Sequence, residues 1–366
     1  MSDYLHIILL IAVSWDIAYQ WIFWSNLPLN KQKPRLTQRQ SVSVVIAARN
    51  EAPRLEKLIL TLSEQTHTDF ELIIVNDRSE DGSKALLQRL ESEVELLKVI
   101  HIENLPTGWT GKKHALYKGI IAANKSIILL TDADCLPQSN RWIAQMTDCF
   151  EPHTDFVIGF SPYKRNPGLL NQWIQFETLY TGLQYLSSAL SHMPYMGVGR
   201  NLAYRKEVFM KDAFGGDEAY VGGDDDIFVN RHATSKNTVV QISVDSQMIS
   251  EPKRLWREYF KQKIRHLSAG KRYHIKDQTR LSSFTLANVV GWLLFLFLLL
   301  SNQIEEWILI LFVCRSLSFY SIFTLSGQKL NTKLAFWALP LLDLCYTVGY
   351  SVVGLVALTA KRIKWN

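Results

Sequence analysis

Between residues 41 and 134 the chain alternates short apolar runs with amphipathic stretches. The apolar runs are rich in β-branched residues and are predicted as strands at 41–48, 70–77, 96–102 and 126–134. The amphipathic stretches are predicted as helices at about 53–65, 83–93 and 112–123. Because nearly continuous apolar strands alternate with helices, the pattern predicts an α/β domain whose mainly parallel sheet is covered on both faces.

Both ends of the chain are far more apolar than its middle. Residues 4–24 are long enough to span a bilayer and lack the basic start and the cleavage site of a signal peptide, so we expect an uncleaved transmembrane anchor. Further apolar blocks at 284–300, 307–325 and 334–360 predict two to three C-terminal spans. One block could be re-entrant, because the first is short for a span and the last contains Pro340.

Charged residues inside these blocks need protein partners, because a charge that faces lipid is costly. We therefore expect Asp16 to face protein, and Arg315 and Asp343 to pair with each other. The basic flank at 31–40 favours a cytoplasmic middle domain. Four full spans would then place the basic tail at 361–364 outside, against the positive-inside tendency, so the sequence leaves the number of spans open.

The patterns together predict four segments along the chain. They are an N-terminal anchor at 1–28, an α/β domain at 40–250, an amphipathic region at 251–280 and a C-terminal transmembrane region at 284–360. Within the third segment, the basic amphipathic helix expected at 255–273 suits the membrane interface and packing on the protein's own core equally well.

The chain's net charge of +6 does not by itself indicate nucleic-acid binding, because no helix-turn-helix, zinc-finger or RNA-binding signature accompanies it. In a chain with apolar ends, basic residues are expected to face anionic lipid. The four cysteines have no CxxC spacing, which argues against a zinc site or a disulfide framework and fits a reducing compartment.

Aspartates follow two of the predicted strands, at the sheet edge where α/β proteins bind ligands. In "LLTDADC", Asp132 and Asp134 can both reach one hard cation such as Mg²⁺ or Mn²⁺ whose other ligands come from phosphate; the alternative is a capped turn. In "VNDRSEDGS", Asp77 can accept a hydrogen bond from a nucleotide base. The alternative there is an Asx turn, which suits Asp81.

Two further segments carry candidate chemistry. "PTGWTGKKHA" places Lys112 and Lys113 at a helix start, which favours phosphate, although the segment is not a P-loop. "GGDDD", at 222–226, gathers three acids before a helix expected to run to about His232. Stabilisation by the helix dipole explains one or two acids at this place but not obviously three. A carboxylate with like-charged neighbours has a raised pKa and makes a better general base.

Ordered segments across about residues 41–270 resemble the family 2 glycosyltransferases. They are "VSVVIAARNEAPRLEKLILTL", "IIVNDRSEDGS", "TGKKHAL", "LLTDADC", "GDDD" and "QKIRH". Two positions depart from the family: Asn76 stands where an aspartate is usual, and His266 stands where tryptophan ends the Gln-x-x-Arg-Trp signature. Within the family, "LPTGWTGK" and the C-terminal spans look most like membrane enzymes that glycosylate carotenoids, hopanoids or ceramides.

The resemblance implies a GT-A fold with a defined nucleotide site. The residues that would bind the nucleotide are Ala48, Asn50, Glu51, Asp77, Lys112 and Asp132. Among them, Asp77 would contact the base and Lys112 would lie by the nucleotide or its phosphates. Asp134, together with Asp132, would ligate Mg²⁺ or Mn²⁺.

The resemblance also implies a catalytic set, which consists of Asp224, Asp225, Gln262, Arg265 and His266. Phe228 and Arg231 match the family's residues three and six positions after the base, which makes Asp225 the base. Asp224 would then tune Asp225 or hold the acceptor, and Asp226 would be a helix-start acid without a catalytic task. Gln262 and Arg265 would face the diphosphate and the acceptor.

The function implied by the resemblance is that of an inverting, metal-dependent glycosyltransferase. It would move a sugar from a nucleotide-diphosphate sugar, with a UDP-type donor favoured, to a hydroxyl of a lipid acceptor. The protein would be multi-pass, with its catalytic domain on the cytoplasmic side of a bacterial inner membrane. Two alternatives stay open: a processive polysaccharide synthase, disfavoured by His266 and the few spans, and a non-catalytic scaffold that binds nucleotide sugar.

Overall fold

The computed structural model describes residues 2–31, 40–332, 334 and 336–359. These residues form two compact units. The strand unit contains 40–164 and 192–252, and the helical unit contains 2–31, 165–191 and the described residues from 253 onward. Most of the basic flank predicted at 31–40, and the whole basic tail at 361–364, lie outside the described residues.

Elements are numbered along the chain. The strands in the described residues are β1 (Val42–Ala48), β2 (Phe70–Asp77), β3 (Leu97–Ile102), β4 (Ile127–Leu130), β5 (Cys135–Pro137), β6 (Phe156–Gly159), β7 (Leu202–Arg205), β8 (Thr238–Gln241) and β9 (Met248–Ser250). The α-helices there are α1 (Ser2–Tyr19), α2 (Asn26–Leu29), α3 (Ala52–Ser63), α4 (Ser83–Glu93), α5 (Gly111–Ala122), α6 (Trp142–Thr147), α7 (Leu169–Leu190), α8 (Lys206–Asp212), α9 (Asp226–His232), α10 (Trp256–Ala269), α11 (Ile275–Leu300), α12 (Glu306–Lys329) and α13 (Leu339–Thr359). A π-helical turn at Gln20–Trp24 follows α1, and a 3₁₀ turn at Gly199–Asn201 precedes β7.

The strand unit is built on a seven-stranded sheet with the order β3-β2-β1-β4-β7-β6-β8. The first four strands in this order are parallel to one another, and β6 and β8 are parallel to each other. Only β7 among them runs antiparallel to its neighbours, β4 and β6. The predicted mainly parallel α/β sheet is therefore confirmed. The strand predicted at 126–134 is shorter than expected, and it ends before Asp132 and Asp134.

The core of the strand unit follows from the apolar pattern of its elements. Helix α3 buries Leu55, Leu58, Ile59 and Leu62, which share one helical face, against the sheet. On α5, a Cβ added at Gly119 would lie 2.5 Å from Cγ1 of Val45, so this glycine lets the helix approach β1 closely. The close approach fixes α5, whose first turn carries the lysines singled out in the sequence.

The helical unit contains four helical segments that are long and apolar enough to cross a membrane, counted among the described residues. One spans Asp3–Leu29, and the other three lie on α11, α12 and α13. The expectation that the 284–300 block is short for a span was wrong, because α11 begins at Ile275 and has 26 residues. Pro340 does not interrupt a helix either, since it is the second residue of α13, where proline is tolerated.

Three charged side chains meet inside these apolar helices. Arg315 Nε on α12 donates to Asp16 Oδ2 on α1 at 2.6 Å, and Arg315 Nη1 donates to Asp343 on α13. Asp16 also accepts a hydrogen bond from Gln20 Nε2 at 3.0 Å. The predicted pairing of Arg315 with Asp343 is confirmed, and Asp16 faces protein as expected.

Helices α7 and α10 belong to the helical unit, although α7 falls within the segment predicted at 40–250. Trp173 Nε1 on α7 donates to the hydroxyl of Tyr259 on α10 at 2.8 Å. Lys263 on α10 is buried and pairs with Glu177 on α7, Nζ to Oε2 2.5 Å. Of the two settings left open for the amphipathic helix, its inner face therefore packs on the protein, while Trp256 lies exposed.

Candidate active site

Four of the predicted site residues meet at the carboxyl edge of the parallel strands. Lys112 Nζ lies 3.0 Å from Asp132 Oδ1 and 2.9 Å from Asp224 Oδ2, and Asp225 follows Asp224 directly. The Asp224 side chain is 10% exposed, whereas those of Lys112 and Asp132 are 23% and 31% exposed. The cluster therefore combines buried charge with a face that a ligand can reach.

Lys112 is positioned by the start of α5. The helix begins at Gly111, where an added Cβ would lie 2.3 Å from Asp77 Oδ2, so the first turn rests directly on the end of β2. Burial lowers the pKa of Lys112, but the carboxylates of Asp132, Asp224 and Asp225 outweigh burial and the net shift is upward. Lys112 is therefore a permanently charged cation among three acids.

The adjacent Lys113 has a different environment. Its Nζ donates to the backbone carbonyl of Asp217 at 2.7 Å and lies 5.4 Å from the ring centroid of Phe214 and 5.7 Å from that of Tyr220. Burial lowers the pKa of Lys113. The two lysines look alike in the sequence, but Lys113 supports the loop before the three aspartates, while Lys112 forms ion pairs with Asp132 and Asp224.

Asp225 is the N-cap of α9. Its Oδ1 accepts a hydrogen bond from Asp226 N at 2.8 Å, and its Oδ2 accepts one from Gly199 N. Burial and the neighbouring charge of Asp224 raise the pKa of Asp225, against the opposing effects of Lys112 and the two amides. This carboxyl is thus held in one orientation and binds a proton more readily than an ordinary aspartate.

The two flanking aspartates differ from Asp225. Burial would raise the pKa of Asp224, but the ion pair and hydrogen bond with Lys112 outweigh it, and the net shift is downward. Asp226 is the buried first residue of α9, and its Oδ1 accepts a hydrogen bond from Ile227 N at 2.8 Å. The predicted position of Asp226 at the helix start is confirmed. Adjacent carboxyls with pKa values pushed apart are an arrangement that enzymes use to divide roles.

The 3₁₀ turn at Gly199–Asn201 holds Asp225, and the sequence analysis did not single it out. A Cβ added at Gly199 would lie 3.0 Å from Asp225 Oδ2, so glycine allows this contact. The fully buried Asn201 anchors the turn: its Oδ1 accepts from Trp142 Nε1 at 2.9 Å, and its Nδ2 donates to the carbonyls of Phe160 and Ser246. In "VGRNLAYR" only the glycine and asparagine before a β-rich run hinted at a tight turn.

At the other end of the edge, the buried Asp77 closes β2. Both of its carboxylate oxygens accept from Arg78, Nε to Oδ1 2.7 Å and Nη2 to Oδ2 3.0 Å. The predicted Asx turn at Asp81 is confirmed, because Oδ1 of this residue accepts from Ser83 N at 3.1 Å. Asp77 and Asp81 therefore differ: only Asp77 lies on the strand end beside α5.

The loop after β1 carries the remaining residues of the nucleotide set. Asn50 has a left-handed backbone with φ 56°, and its Oδ1 accepts from Glu80 N at 2.8 Å. This bond ties the loop after β1 to the loop after β2. Ala48 is the buried last residue of β1, and Glu51 forms an ion pair with Arg54. The structure thus places Ala48, Asn50 and Glu51 at the same strand edge as Asp77.

The acids on the turn after β4 are the candidate metal ligands. Asp132 and Asp134 are both partly exposed, and within the described ranges no group of three or more His, Cys, Asp or Glu side chains could hold a metal ion. Mg²⁺ commonly binds one or two carboxylates together with substrate phosphates. Two accessible carboxylates two residues apart fit a cation whose other ligands come from the substrate.

The last three predicted residues lie on a different unit. Gln262, Arg265 and His266 belong to α10 of the helical unit, whereas all the residues above belong to the strand unit. The strand unit therefore brings together the predicted nucleotide, metal and acid residues from five separate loops, and the "QKIRH" segment is not among them.

Comparisons with known proteins identify the family and the fold that the chain resembles. The sequence model of the family described as "Glycosyl transferase family 2" matches residues 43–212. The chain is 35% identical to the 4,4'-diaponeurosporenoate glycosyltransferase of Staphylococcus haemolyticus over 26% of this chain and 24% of that protein. It is 27% identical to the glycosyltransferase AglE of Haloferax volcanii over 28% of this chain and 33% of that protein. The matched segments thus span only about a quarter to a third of these relatives.

A solved structure resembles the whole fold. The mannosyltransferase PcManGT of Pyrobaculum calidifontis, in complex with GDP-Man and Mn²⁺, superposes with a TM-score of 0.64 and covers 97% of this chain and 99% of that chain. The sequence identity is 18%, so the likeness concerns the fold. Residues 43–212 therefore match a glycosyl transferase family 2 domain, the fold is of the GT-A type, and the chain also carries apolar helices long enough to span a membrane.

Proposed function

We propose that this protein is an inverting glycosyltransferase that moves a sugar from a nucleotide-diphosphate sugar to a hydroxyl of a lipid acceptor. One observation carries the proposal. Lys112 gathers Asp132 and Asp224 at the carboxyl edge of the sheet, with Asp225 fixed beside them. Lys112 and Asp132 lie within residues 43–212, which match the family 2 sequence model. A half-buried cation, a reachable acid pair and a carboxyl of raised pKa suit group transfer from a diphosphate better than simple binding.

Asp225 is assigned as the general base. Its carboxylate takes the proton of the acceptor hydroxyl as the oxygen attacks the anomeric carbon. The attack comes from the face opposite the leaving diphosphate, so the bond to the acceptor forms as the bond to the diphosphate breaks, and the configuration inverts. The raised pKa of Asp225 supports this assignment, and the amides of Gly199 and Asp226 hold the carboxylate in place while each oxygen keeps a lone pair.

The departing diphosphate needs positive charge nearby, which Lys112 supplies. Asp132 and Asp134 would hold Mg²⁺ or Mn²⁺, which would neutralise the developing charge when bound. Two observations support a metal: the two partly exposed carboxylates after β4, and the Mn²⁺ in the complex of the mannosyltransferase with the similar fold. Asp224 holds Lys112 in place and sets the charge felt by Asp225.

The donor's base is assigned to the strand-end residues Ala48, Asn50, Glu51 and Asp77, which together are named the base site. The family resemblance favours a UDP-type donor, whereas the structural neighbour is in complex with GDP-Man. A test of the donor should therefore include both uridine and guanosine nucleotides. In either case Asp77 would exchange one of its bonds to Arg78 for a base N–H.

A lipid acceptor is supported by the apolar helices and by relatives named for diaponeurosporenoate. The anchor at 1–28 and the region at 284–360 would hold the protein in a bacterial inner membrane with the domain at 40–250 on the cytoplasmic side. Gln262, Arg265 and His266, in the region at 251–280, would contribute to binding the diphosphate and the acceptor.

The test is a donor screen with the full chain in lipid nanodiscs. UDP- and GDP-sugars are incubated with Mg²⁺ or Mn²⁺ and a bacterial membrane lipid extract, and the lipids are read by mass spectrometry. We expect one lipid species to gain the mass of a single sugar, and no gain with the Asp225→Asn variant. A ladder of sugar masses would show a processive synthase instead. Neither transfer nor hydrolysis of any donor would indicate a non-catalytic scaffold.

A further inference from the structure

Arg200 lies beside the candidate metal ligands, outside the set assigned above. Arg200 belongs to the 3₁₀ turn that precedes β7, the antiparallel partner of β4, and Asp132 and Asp134 lie on the turn just after the end of β4. Consistent with this placement, the carboxylates of Asp132 and Asp134 both act electrostatically on the Arg200 guanidinium. The arginine therefore lies at the acidic turn after β4.

The position of Arg200 is fixed before any ligand binds. Its neighbours Gly199 and Asn201 are held by Asp225 and by the buried contacts of the Asn201 amide. The guanidinium carbon lies 4.4 Å from the ring centroid of the buried Tyr163, a stacking geometry that arginine favours. Stacking on the ring fixes the plane of the guanidinium and leaves the edges of its fork for hydrogen bonding.

One of those edges is unused. Nη1 of Arg200 is buried and makes no hydrogen bond with any residue in the part of the chain that the structure describes. A buried donor without an acceptor is destabilising, and such a donor calls for an explanation such as a water, an ion or a ligand that completes it. The missing partner should be an acceptor, and an anionic one suits a guanidinium best.

We propose that Arg200 binds the diphosphate of the nucleotide sugar, an inference that rests on the function proposed above. A diphosphate with its divalent cation would complement this corner: Asp132 and Asp134 would hold the cation, and Nη1 of Arg200 would donate to a phosphate oxygen. Arg200 shares its turn with Gly199, so one short segment contacts both the leaving group and the base, Asp225. The turn would thereby set the distance between the diphosphate and the base.

The competing explanation is that Arg200 only balances the charge of Asp132 and Asp134. A structural counter-ion would influence folding and would not distinguish ligands with and without phosphate. If Arg200 instead binds the diphosphate, its substitution must weaken binding of ligands that carry phosphate and spare those that do not. The two roles therefore separate in a binding measurement that compares a nucleoside with its diphosphate.

The experiment uses the full chain in nanodiscs with Mg²⁺ and measures binding of UDP, uridine, GDP and guanosine by competition. The comparison uses whichever base the wild type binds. Arg200→Gln should weaken binding of the nucleoside diphosphate about 10- to 100-fold, the range for a charged hydrogen bond, and leave the affinity for the nucleoside unchanged. Arg200→Lys should lie between the two, because lysine keeps the charge but not the fork. Arg141→Gln is the matched control, since Arg141 is exposed in the same unit and pairs with Asp245; it should bind as the wild type does.

Two results would overturn the inference: unchanged diphosphate affinity in Arg200→Gln, or equal losses of affinity for the nucleoside and its diphosphate. If Arg200→Gln does not fold, the same comparison with Arg200→Lys decides, and unchanged affinity for the diphosphate counts against the proposal. A wild type that binds no nucleotide would refute the proposed function itself. If the wild type and Arg200→Gln bind the nucleoside diphosphate equally well, only the role of Arg200 is refuted.

Discussion

Lys112 Nζ lies 2.9 Å from Oδ2 of Asp224, an ion pair that joins the first turn of α5 to the loop before α9. The same nitrogen lies 3.0 Å from Oδ1 of Asp132 on the turn after β4. One cation therefore holds together segments that are 20 and 112 residues away from it along the chain. Because Lys112 is paired with Asp224, Asp225 keeps the higher proton affinity of the two adjacent acids.

Substitutions of the adjacent Lys112 and Lys113 should have different effects, one on transfer and the other on stability. Lys112→Met removes the cation shared by Asp132 and Asp224 and should lower kcat/KM for transfer about 10- to 100-fold. Lys113→Met leaves the buried carbonyl of Asp217 without its donor and should cost about 1–3 kcal/mol of stability while transfer persists. Transfer kinetics and thermal unfolding of both variants check this. Equal effects of the two substitutions on transfer would contradict the assignment.

The pH dependence of transfer should respond to Asp224. The base must be ionised, so the rate is lost as the pH falls through the raised pKa of Asp225. Asp224→Asn removes a charge that helps to raise this pKa, so the acidic limb of kcat/KM should move to lower pH, alongside a slower rate. Asp245→Asn, a change at a partly exposed acid that pairs with Arg141, should leave the limb in place. An acidic limb that stays put or moves to higher pH in Asp224→Asn would argue against Asp225 as the base.

The assignment of the base site to the strand end near Asp77 can be tested without removing any charge. In Gly111→Ala the new Cβ would lie 2.3 Å from Asp77 Oδ2 and 2.8 Å from Arg78 Nη2, so these two side chains must leave their present positions. Overpacking of this kind costs about 1–3 kcal/mol, and we expect nucleoside binding to weaken about tenfold or more. Thr110→Ala, at the N-cap whose side chain makes no capping bond, is the control. Nucleoside affinity equal to that of the wild type in Gly111→Ala would place the base elsewhere.

The charged cluster of the helical unit should be essential for its assembly. Arg315→Met leaves Asp16 and Asp343 buried without their shared cation and should cost about 3–5 kcal/mol. Thermal unfolding in detergent measures the loss, with Leu309→Ala on the exposed side of α12 as the control expected to change little. If Arg315→Met unfolds at the same temperature as the wild type, the three charges do not hold α1, α12 and α13 together.

Local patterns predicted much of this architecture. Strands β1 to β3 and helices α3 to α5 follow apolar periodicity and end where polar residues begin, so the acids at the strand ends were found from the sequence. The antiparallel insertion of β7 between β4 and β6 is a pairing between distant segments, which no local pattern reports. For the same reason the sequence did not predict that α7 belongs to the helical unit.

The site residues that cluster in the sequence were predictable, and those that stand alone were not. Three adjacent aspartates and a DxD pair are conspicuous, whereas Arg200 is one basic residue in an ordinary segment that becomes notable only beside Asp132. Lys112 and Lys113 share residue type and surroundings in the sequence. The phase of α5 separates them, because adjacent positions on a helix point in different directions.

Replacing Asp225 by its isosteric amide separates proton transfer from ligand binding at this position. Asp225→Asn keeps an oxygen to accept from Gly199 N but cannot take a proton, so transfer to the lipid acceptor should fall at least about a thousandfold, toward the upper end of what general-base catalysis contributes. Binding of the nucleoside diphosphate should stay within about twofold of wild type, because Lys112, Asp132 and Asp134 are untouched. Near-normal turnover in Asp225→Asn would contradict the account.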